Sequence, residues 1–379
     1  MSSAEDGSRA TAAGQRVIVS EFAESPGEAI DTVLSIEPML APELSLLAAN
    51  EVLVKVVCAA VGWVDLLMMS GQYQHMAKPP YTPGLEGAGV VLAVGSAVKR
   101  VAVGARVLTD GFVAGPRSLG PYQSQGTFAS WVVMPENALH IIPSKLSFAQ
   151  AAGLLSSYET AYHCLLTRGR LREGETVLIH GASGSTGLAA VQVAKLVGAK
   201  VIATGRSKAK LEVVRESGAD HVVVLDSARP DGELEFKEQV KELTSGAGVD
   251  VVYDPVGGPV SKESLRAMRF GGRFLVVGWA ATPAVAKGKG GRGAPNANQL
   301  PTNLIMMKSL DVLGCPTVIS TVMDPSSRPP RLEAVLRWAE TGAISPHVSH
   351  SFEFSEVRAA LRAKWNGEVV GAAVLTSAS

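Results

Sequence analysis

Apolar and polar positions follow two different rhythms along this chain, and the change of rhythm divides it. Within 176–278, short apolar runs recur between longer amphipathic segments. The stretch 176–187 opens with a strand, and further strands are predicted at 200–204, 221–226, 249–254 and 273–278. Helical patterns lie between them at 188–198, 207–219, 234–245 and 262–270, and 310–314 reads as the last strand of the set. Strands alternating with helices at this spacing predict a doubly wound parallel sheet of the Rossmann type. From 16 to 143 the chain is rich in glycine and proline, with short strand-like runs at 16–20, 51–57, 87–94, 106–108 and 128–135. Such runs with turn signals between them predict an irregular β domain. After 314 the pattern reads helix 331–341, strand 348–354, helix 355–365 and strand 370–375. This last part is expected to return to the N-terminal β domain and leave an interdomain cleft, where ligands usually sit. The expected division is a disordered tail at 1–14, a substrate domain from 15–147 and 316–379, and a dinucleotide domain at 148–315.

The most specific chemistry lies where the first of those parallel strands ends. There the chain reads Thr-Val-Leu-Ile-His-Gly-Ala-Ser-Gly-Ser-Thr-Gly, with glycines at 181, 184 and 187. A strand running through a glycine-punctuated turn into a helix aims backbone N–H groups at an anion and lets it approach closely. Gly181, Ser183, Gly184, Ser185, Thr186 and Gly187 are therefore expected to hold the phosphates of a dinucleotide. The alternative is a sheet of the same shape that binds none.

The end of the next strand distinguishes the two nicotinamide dinucleotides. A carboxylate there accepts hydrogen bonds from ribose hydroxyls and favours NAD. Here the chain runs Gly205-Arg206-Ser207-Lys208-Ala209-Lys210, with no acid before Glu212. Arg206 suits a paired, charge-assisted contact to a 2′-phosphate, with Gly205, Ser207 and Lys210 close by. The expected cofactor is NADPH; the other reading makes these bases a solvated helix start.

Composition then limits the partners. The 379 residues carry 35 Lys plus Arg against 35 Asp plus Glu, which gives no electrostatic reason to expect nucleic acid or a membrane. The apolar stretch 52–69 is interrupted by Lys55 and Asp65 and reads as a buried strand and loop, not a span. The first fourteen residues lack the apolar core of a signal peptide. Three scattered cysteines fit buried thiols in a reduced, cytoplasmic setting.

Several segments together resemble one known family. They are Asp65-Leu66-Leu67, Ser70-Gly71-Gln72-Tyr73-Gln74, Pro80-Tyr81-Thr82-Pro83-Gly84-Leu85-Glu86-Gly87-Ala88-Gly89, Gly126-Thr127-Phe128-Ala129-Ser130-Trp131, the 180–188 turn, Asp254-Pro255-Val256-Gly257-Gly258 and Pro301-Thr302-Asn303-Leu304. From about Val17 onward the chain resembles the medium-chain dehydrogenase/reductase superfamily, and within it the zinc-free quinone oxidoreductases that include zeta-crystallin. The resemblance implies a Rossmann domain joined to a GroES-like irregular β-barrel. It implies a homodimer or homotetramer, with 310–314 and the helix before it as candidate contacts. By the same resemblance a zinc ligand would stand where this chain has Gly62, and another where it has Leu85. No cysteine cluster exists for a structural zinc, so no metal is expected. Glu86 is expected to serve as a structural hydrogen-bond acceptor.

Without a metal, the chemistry is expected to be hydride transfer from NADPH to a quinone or to an alkene conjugated to a carbonyl. The resemblance makes Tyr73 the catalytic donor candidate beside the acceptor oxygen, or else a residue that only packs the wall. Gly62, Trp63, Asp65, Tyr73 and Tyr81 are the expected substrate contacts, although Asp65 also suits a turn or helix cap. Thr160, Gly257, Gly278, Trp279 and Asn303 carry over as cofactor neighbours. His163 and His180 lie in apolar runs and read as satisfied core histidines.

Two segments are longer than the plain family pattern: 111–125, which holds Phe112, Arg117 and Tyr122, and 283–299, which holds Lys287, Lys289 and Arg292. The second reads as a basic lid for an anionic substrate tail or as a solvated loop. The competing functions are an enoyl-thioester reductase and a non-catalytic NADPH-binding or RNA-binding protein of the crystallin type.

Overall fold

The computed structural model describes residues 13–225, 234–281 and 298–377. Two sheets dominate it. Strands β1 (Ala13–Val19), β2 (Leu34–Leu40), β3 (Glu51–Ala60), β4 (Gly87–Val94), β5 (Arg106–Thr109), β6 (Trp131–Pro135) and β7 (Leu139–Ile141) belong to the N-terminal part. The middle holds β8 (Thr176–Ile179), β9 (Lys200–Gly205), β10 (His221–Val224), β11 (Val249–Asp254), β12 (Met268–Val276) and β13 (Asp311–Gly314). The last two are β14 (Val348–Glu353) and β15 (Ala372–Thr376).

The middle strands form a six-stranded sheet in the order β10-β9-β8-β11-β12-β13, every pair parallel. This order reverses direction between β8 and β11, which opens a crevice at their carboxyl ends. Val177, Leu178, Ile179, Val251, Val252 and Tyr253 are fully buried, as a sheet covered by helices on both faces requires. The N-terminal sheet is antiparallel where β3 meets β4 and β6, and where β4 meets β5. The chain's last strand, β15, pairs antiparallel with β3, so the C-terminal segment completes this sheet. The fold is thus a doubly wound sheet beside an irregular, GroES-like β unit, as expected.

Differences from the expected elements are local. Strand β2 and the helices Pro26–Thr32 and Trp63–Met69 were not predicted. Each has seven residues, too few for a helical or alternating pattern to stand out. The helix expected over 262–270 is Pro259–Ala267 instead, and β12 begins at Met268. Lys308 explains the early stop: its ammonium donates to the carbonyls of Leu265, Arg266 and Met268 at 2.9, 2.8 and 2.6 Å. The helix after the glycine turn starts earlier than expected, at Ser185, because Gly184 caps it. The tail at 1–12 and the basic segment around Lys287, Lys289 and Arg292 lie outside the described residues. Among the described residues, no helix is long and apolar enough to cross a membrane.

The two sheets meet along a shared seam. One apolar cluster runs from Cys58, Ala88 and Leu108 through Leu155 and Tyr158 to Val177 and Val251. Beside it lies a buried ionic network. Glu159 accepts from Arg328 at 2.7 and 3.0 Å and from Arg331 at 2.9 Å, and Arg328 also reaches Asp110 at 2.8 Å. Glu159 is 0% exposed and Arg331 1%. Removing one partner of such a network leaves an uncompensated buried charge, costing about 3–5 kcal/mol, while an exposed pair contributes about 0–1 kcal/mol. Urea unfolding should therefore show Glu159→Gln losing about 3–5 kcal/mol. Glu37→Gln, which breaks the exposed Arg16–Glu37 pair, should stay within about 1 kcal/mol of the wild type. Equal losses in the two variants would contradict the buried lock.

Candidate active site

The site is built from the crevice outward. At the end of β8, Gly181 turns the chain with a φ of 57°. The Gly184 N–H then donates to the Gly181 carbonyl at 2.9 Å, which draws the loop tight before helix Ser185–Leu196 begins. A Cβ at Gly187 would come within 2.3 Å of the Gly181 carbonyl oxygen, so only glycine permits this approach. A Cβ at Gly184 would meet nothing closer than that same oxygen at 3.3 Å, so the outer side of the turn is open. The first amides of the helix have no carbonyl four residues back to bond. Open glycine backbone plus unspent helix amides fit a pyrophosphate, which is the fit a dinucleotide requires. Ser183 spends its carbonyl on the Gly371 N–H, and the Ser185 hydroxyl donates to the Gly371 carbonyl at 2.6 Å.

The C-terminal segment therefore forms one wall of this turn, and it carries a residue that the sequence reading missed. Lys364, on helix Val357–Trp365, reaches the Ser185 hydroxyl at 3.1 Å and the Gly371 carbonyl at 3.3 Å. Burial lowers its ammonium to about 8, against the pull of the Asp65 carboxylate. No local motif marks a lysine 179 residues from its partner. At the end of β9, Arg206 is exposed, with its guanidinium 3.7 Å from the position a Cβ would take at Gly367. Ser207 caps helix Lys208–Glu216 through the Lys210 N–H. The Lys210 ammonium is held by the Gly367 carbonyl, and burial lowers its pKa. Of the expected phosphate contacts here, Arg206 is thus the most available cation.

Opposite the turn, β11 ends in Asp254, whose Oδ1 accepts from the N–H groups of Val256 and Gly257 at 2.8 and 2.9 Å. Gly257, with a φ of 77°, backs onto Trp279, whose Cα would lie 3.1 Å from a Cβ there. Gly278 donates to the Asp254 carbonyl at 3.2 Å, and Trp279 is 47% exposed. The amide that joins this wall is Asn298, which accepts from Gly258 N–H at 3.2 Å and donates to Ser261 at 2.9 Å. Asn303, the asparagine expected there, is exposed on helix Thr302–Met307. Thr160 is half-buried on helix Leu155–Tyr162.

The acceptor side comes from the N-terminal sheet. Asp65 is buried and accepts from the N–H groups of Gly62 at 2.9 Å and Gly84 at 3.1 Å. It holds the turn and caps its own helix instead of facing outward. Burial raises its carboxyl to about 6, although both N–H bonds and the charges of Arg117 and Lys364 pull it down. A Cβ on Gly62 would stand 2.9 Å from the Asp65 Oδ2, with the next atom 3.8 Å away. Trp63 stacks on Trp365 with ring centroids 5.5 Å apart and locks helix Trp63–Met69 to helix Val357–Trp365. Tyr81 does not match the substrate contact expected of it. At 2% exposed it belongs to the core of the β unit, where burial drives its hydroxyl's pKa upward.

Tyr73 is half-exposed and hydrogen-bonded to the side chains of Arg117 and Gln74, while burial of its hydroxyl raises its pKa. Leu85 is buried, and the Glu86 carboxylate accepts from the Ser156 N–H at 2.8 Å, a structural bond across the seam. Among the described residues no three His, Cys, Asp or Glu side chains gather as a metal-binding group. The histidines divide. His180 is buried with both ring nitrogens engaged, by Thr204 at 2.7 Å and Ser264 at 2.6 Å. His163 is equally buried, yet neither of its ring nitrogens has a partner, so the expectation of a satisfied histidine is corrected there. Burial lowers the pKa of both to about 4.

Known proteins match both halves. Residues 185–318 fit the family model described as zinc-binding dehydrogenase, and residues 48–144 fit the alcohol dehydrogenase GroES-like domain. The chain is 34% identical over 330 residues to the quinone oxidoreductase-like protein 2 homolog of Nematostella vectensis, covering 86% of this chain and 82% of that protein. It is 34% identical over 310 residues to quinone oxidoreductase-like protein 2 of Bos taurus, covering 81% and 80%. Among solved structures it is similar to a probable oxidoreductase from Mycobacterium abscessus, with a TM-score of 0.76, 28% identity and coverage of 97% and 99%.

Glu86 makes the electrostatics of the seam measurable. Burial lifts its carboxyl from an ordinary 4.5 to about 7, against the opposing pull of Arg117 and Ser156. Between those values the folded chain holds a proton that the unfolded chain has released. Stability is therefore lost as pH rises through this window, and the loss is complete above about pH 7. Glu86→Gln has no such proton to lose. Urea unfolding at pH 5 and pH 8 should show the variant gaining on the wild type by about 1–3 kcal/mol as pH rises. A pH-independent difference would contradict the raised carboxyl.

Proposed function

Because the chain belongs to the zinc-free quinone oxidoreductase family of the medium-chain dehydrogenase/reductase superfamily, we propose that it is an NADPH-dependent reductase. The acceptor in this reading is a quinone or an alkene conjugated to a carbonyl. The observation that carries the proposal is Lys364, which bonds Ser185 beside the glycine turn while its ammonium feels the charge of Asp65, a carboxyl that also feels Arg117, the partner of Tyr73. This supports reading the glycine turn with Arg206 and the Tyr73–Arg117 pair as two walls of one site.

Gly181 to Gly187 and the first amides of helix Ser185–Leu196 would hold the pyrophosphate. Arg206, at the carboxyl end of β9, would pair with the 2′-phosphate. When bound, NADPH supplies a hydride. The residues of the chain do the rest. Gly257, Gly278 and Trp279 form the wall against which the nicotinamide would lie. Tyr73 accepts a hydrogen bond from the Arg117 guanidinium, which leaves its own O–H to donate toward an acceptor oxygen.

Assembly through the sheet edge also has support. Strand β13 ends the six-stranded sheet, and Met306, Met307, Val312 and Met323 around it are exposed. An open edge flanked by apolar side chains suits a second copy of the chain.

NADPH oxidation should be followed with quinones, enals, enones and enoyl thioesters. The proposal expects turnover with at least one quinone or enone, and NADPH preferred over NADH. Turnover with none of them would favour a binding protein. Arg206→Ala should raise the KM for NADPH about 10- to 100-fold and leave that for NADH nearly unchanged, since one charge-assisted contact contributes about 1.5–3 kcal/mol. Equal effects on the two cofactors would remove Arg206 from the 2′-phosphate.

A further inference from the structure

The segment 111–125 contributes a buried cation that the functional reading has used only as a support for Tyr73. Arg117 is 5% exposed. Its Nη2 donates to the Ser156 hydroxyl at 2.9 Å, its Cζ lies 4.1 Å from the centre of the Phe112 ring, and Tyr73 is bonded to it. Its Nε is buried with no hydrogen-bond partner. Among the described residues no carboxylate forms an ion pair with it.

The contrast with Arg328 and Arg331 is direct. Both are buried to the same degree, yet Glu159 and Asp110 neutralise them. A guanidinium has five N–H donors and stays charged, so Arg117, whose direct contacts are Ser156, Phe112 and Tyr73, has donors to spare. Burying such a charge is costly unless an anion joins it for part of the working cycle.

The Arg117 Nη2 lies 3.4 Å from where a Cβ would stand on Gly111, and that same Cβ would collide with the Leu85 carbonyl at 2.1 Å. The glycine thus lets its own loop pack against the backbone at Leu85, with the Arg117 guanidinium alongside, next to the segment that carries Glu86. Two carboxyls face the guanidinium from neighbouring elements, Asp65 at the start of helix Trp63–Met69 and Glu86 before β4. Both already bond backbone N–H groups.

We propose that Arg117 is a catalytic residue, whose guanidinium holds the oxygen of the acceptor and takes up the negative charge that develops on it. The proposal rests on the reductase reading above and deepens it to acceptors whose reduction passes through an oxyanion. With an enone, hydride adds to the β-carbon, the C=C pair moves to form a new C=C toward the carbonyl carbon, and the carbonyl pair moves onto oxygen as an enolate. Arg117, itself buried, stabilises that enolate through its N–H donors. Tyr73, whose O–H points to the same oxygen, passes its proton there to give the enol and recovers a proton from solvent; the enol then takes a proton from water at the α-carbon and releases its O–H proton, which restores the carbonyl. With a quinone the same charge appears on the oxygen of the hydroquinone monoanion.

The test compares wild type, Arg117→Met and Arg117→Lys, and uses 4-nitrophenol as a probe of the oxyanion. Bound to the wild type, 4-nitrophenol should ionise about 1–3 pH units lower than in free solution, as a nearby opposite charge requires. Arg117→Met should abolish that shift, and Arg117→Lys should keep part of it. In turnover, Arg117→Met should lower kcat about 10²- to 10³-fold with NADPH binding unchanged. Failure of the probe to bind, an unshifted ionisation in the wild type, or a folded Arg117→Met with kcat within threefold would each overturn the proposal. If Arg117→Met does not fold, the wild-type and lysine titrations still decide it. If the wild type turns over no acceptor, the reductase reading falls, and the probe titration separately decides whether Arg117 is an oxyanion site.

Discussion

A charge taken out of water needs an opposite charge or strong hydrogen bonds, and the seam between the two sheets is organised by that constraint. Glu159 sits in the centre of the seam with both Arg328 and Arg331 on it, and Asp110 completes the group from the loop after β5. These contacts tie the helix Leu155–Tyr162 to the β unit and to the C-terminal helix Pro329–Thr341. Phe112 lies against both Arg328, 4.4 Å from its ring centre, and Arg117, at 4.1 Å. The structural ion network therefore positions the unpaired guanidinium. Fixed in this way, Arg117 needs little reorganisation when charge develops beside it, which is the condition under which a dipole or cation is most effective in catalysis.

Much of the fold can be read from the chain because its signals are local. The parallel strands are continuous apolar runs, and the helices between them are long enough to show a period. The turn at Gly181, Gly184 and Gly187 is legible for the same reason: Gly181 needs a positive φ, Gly187 packs on the Gly181 carbonyl, and Gly184 leaves the outer side of the turn open. Seven-residue elements such as Trp63–Met69 carry too little pattern to be recognised. Lys308 ending a helix forty residues away illustrates a boundary that no local signal contains.

The site is legible in part, along the same division. Arg206 follows from its place at the end of a strand. Lys364, Asn298 and Arg117 do not, because each acquires its role only through partners distant in sequence: Ser185, Gly258 and Ser156. Tyr81 shows the opposite error, a polar side chain in a promising motif that the sheet turns into the core. Asp65 resembles a reactive group by type, but two backbone N–H groups fix it as the support of a turn.

A dinucleotide turn on one wall and a guanidinium on the other make up the proposed site. A crystal structure of the protein with NADPH and 4-nitrophenolate tests that union most directly. The pyrophosphate is expected over the amides of Gly184, Ser185 and Thr186, with the phenolate oxygen within hydrogen-bond distance of Arg117 and beside Tyr73. A dinucleotide bound elsewhere, or a phenolate seated away from Arg117 while that guanidinium stays against Ser156 and Phe112, would contradict it.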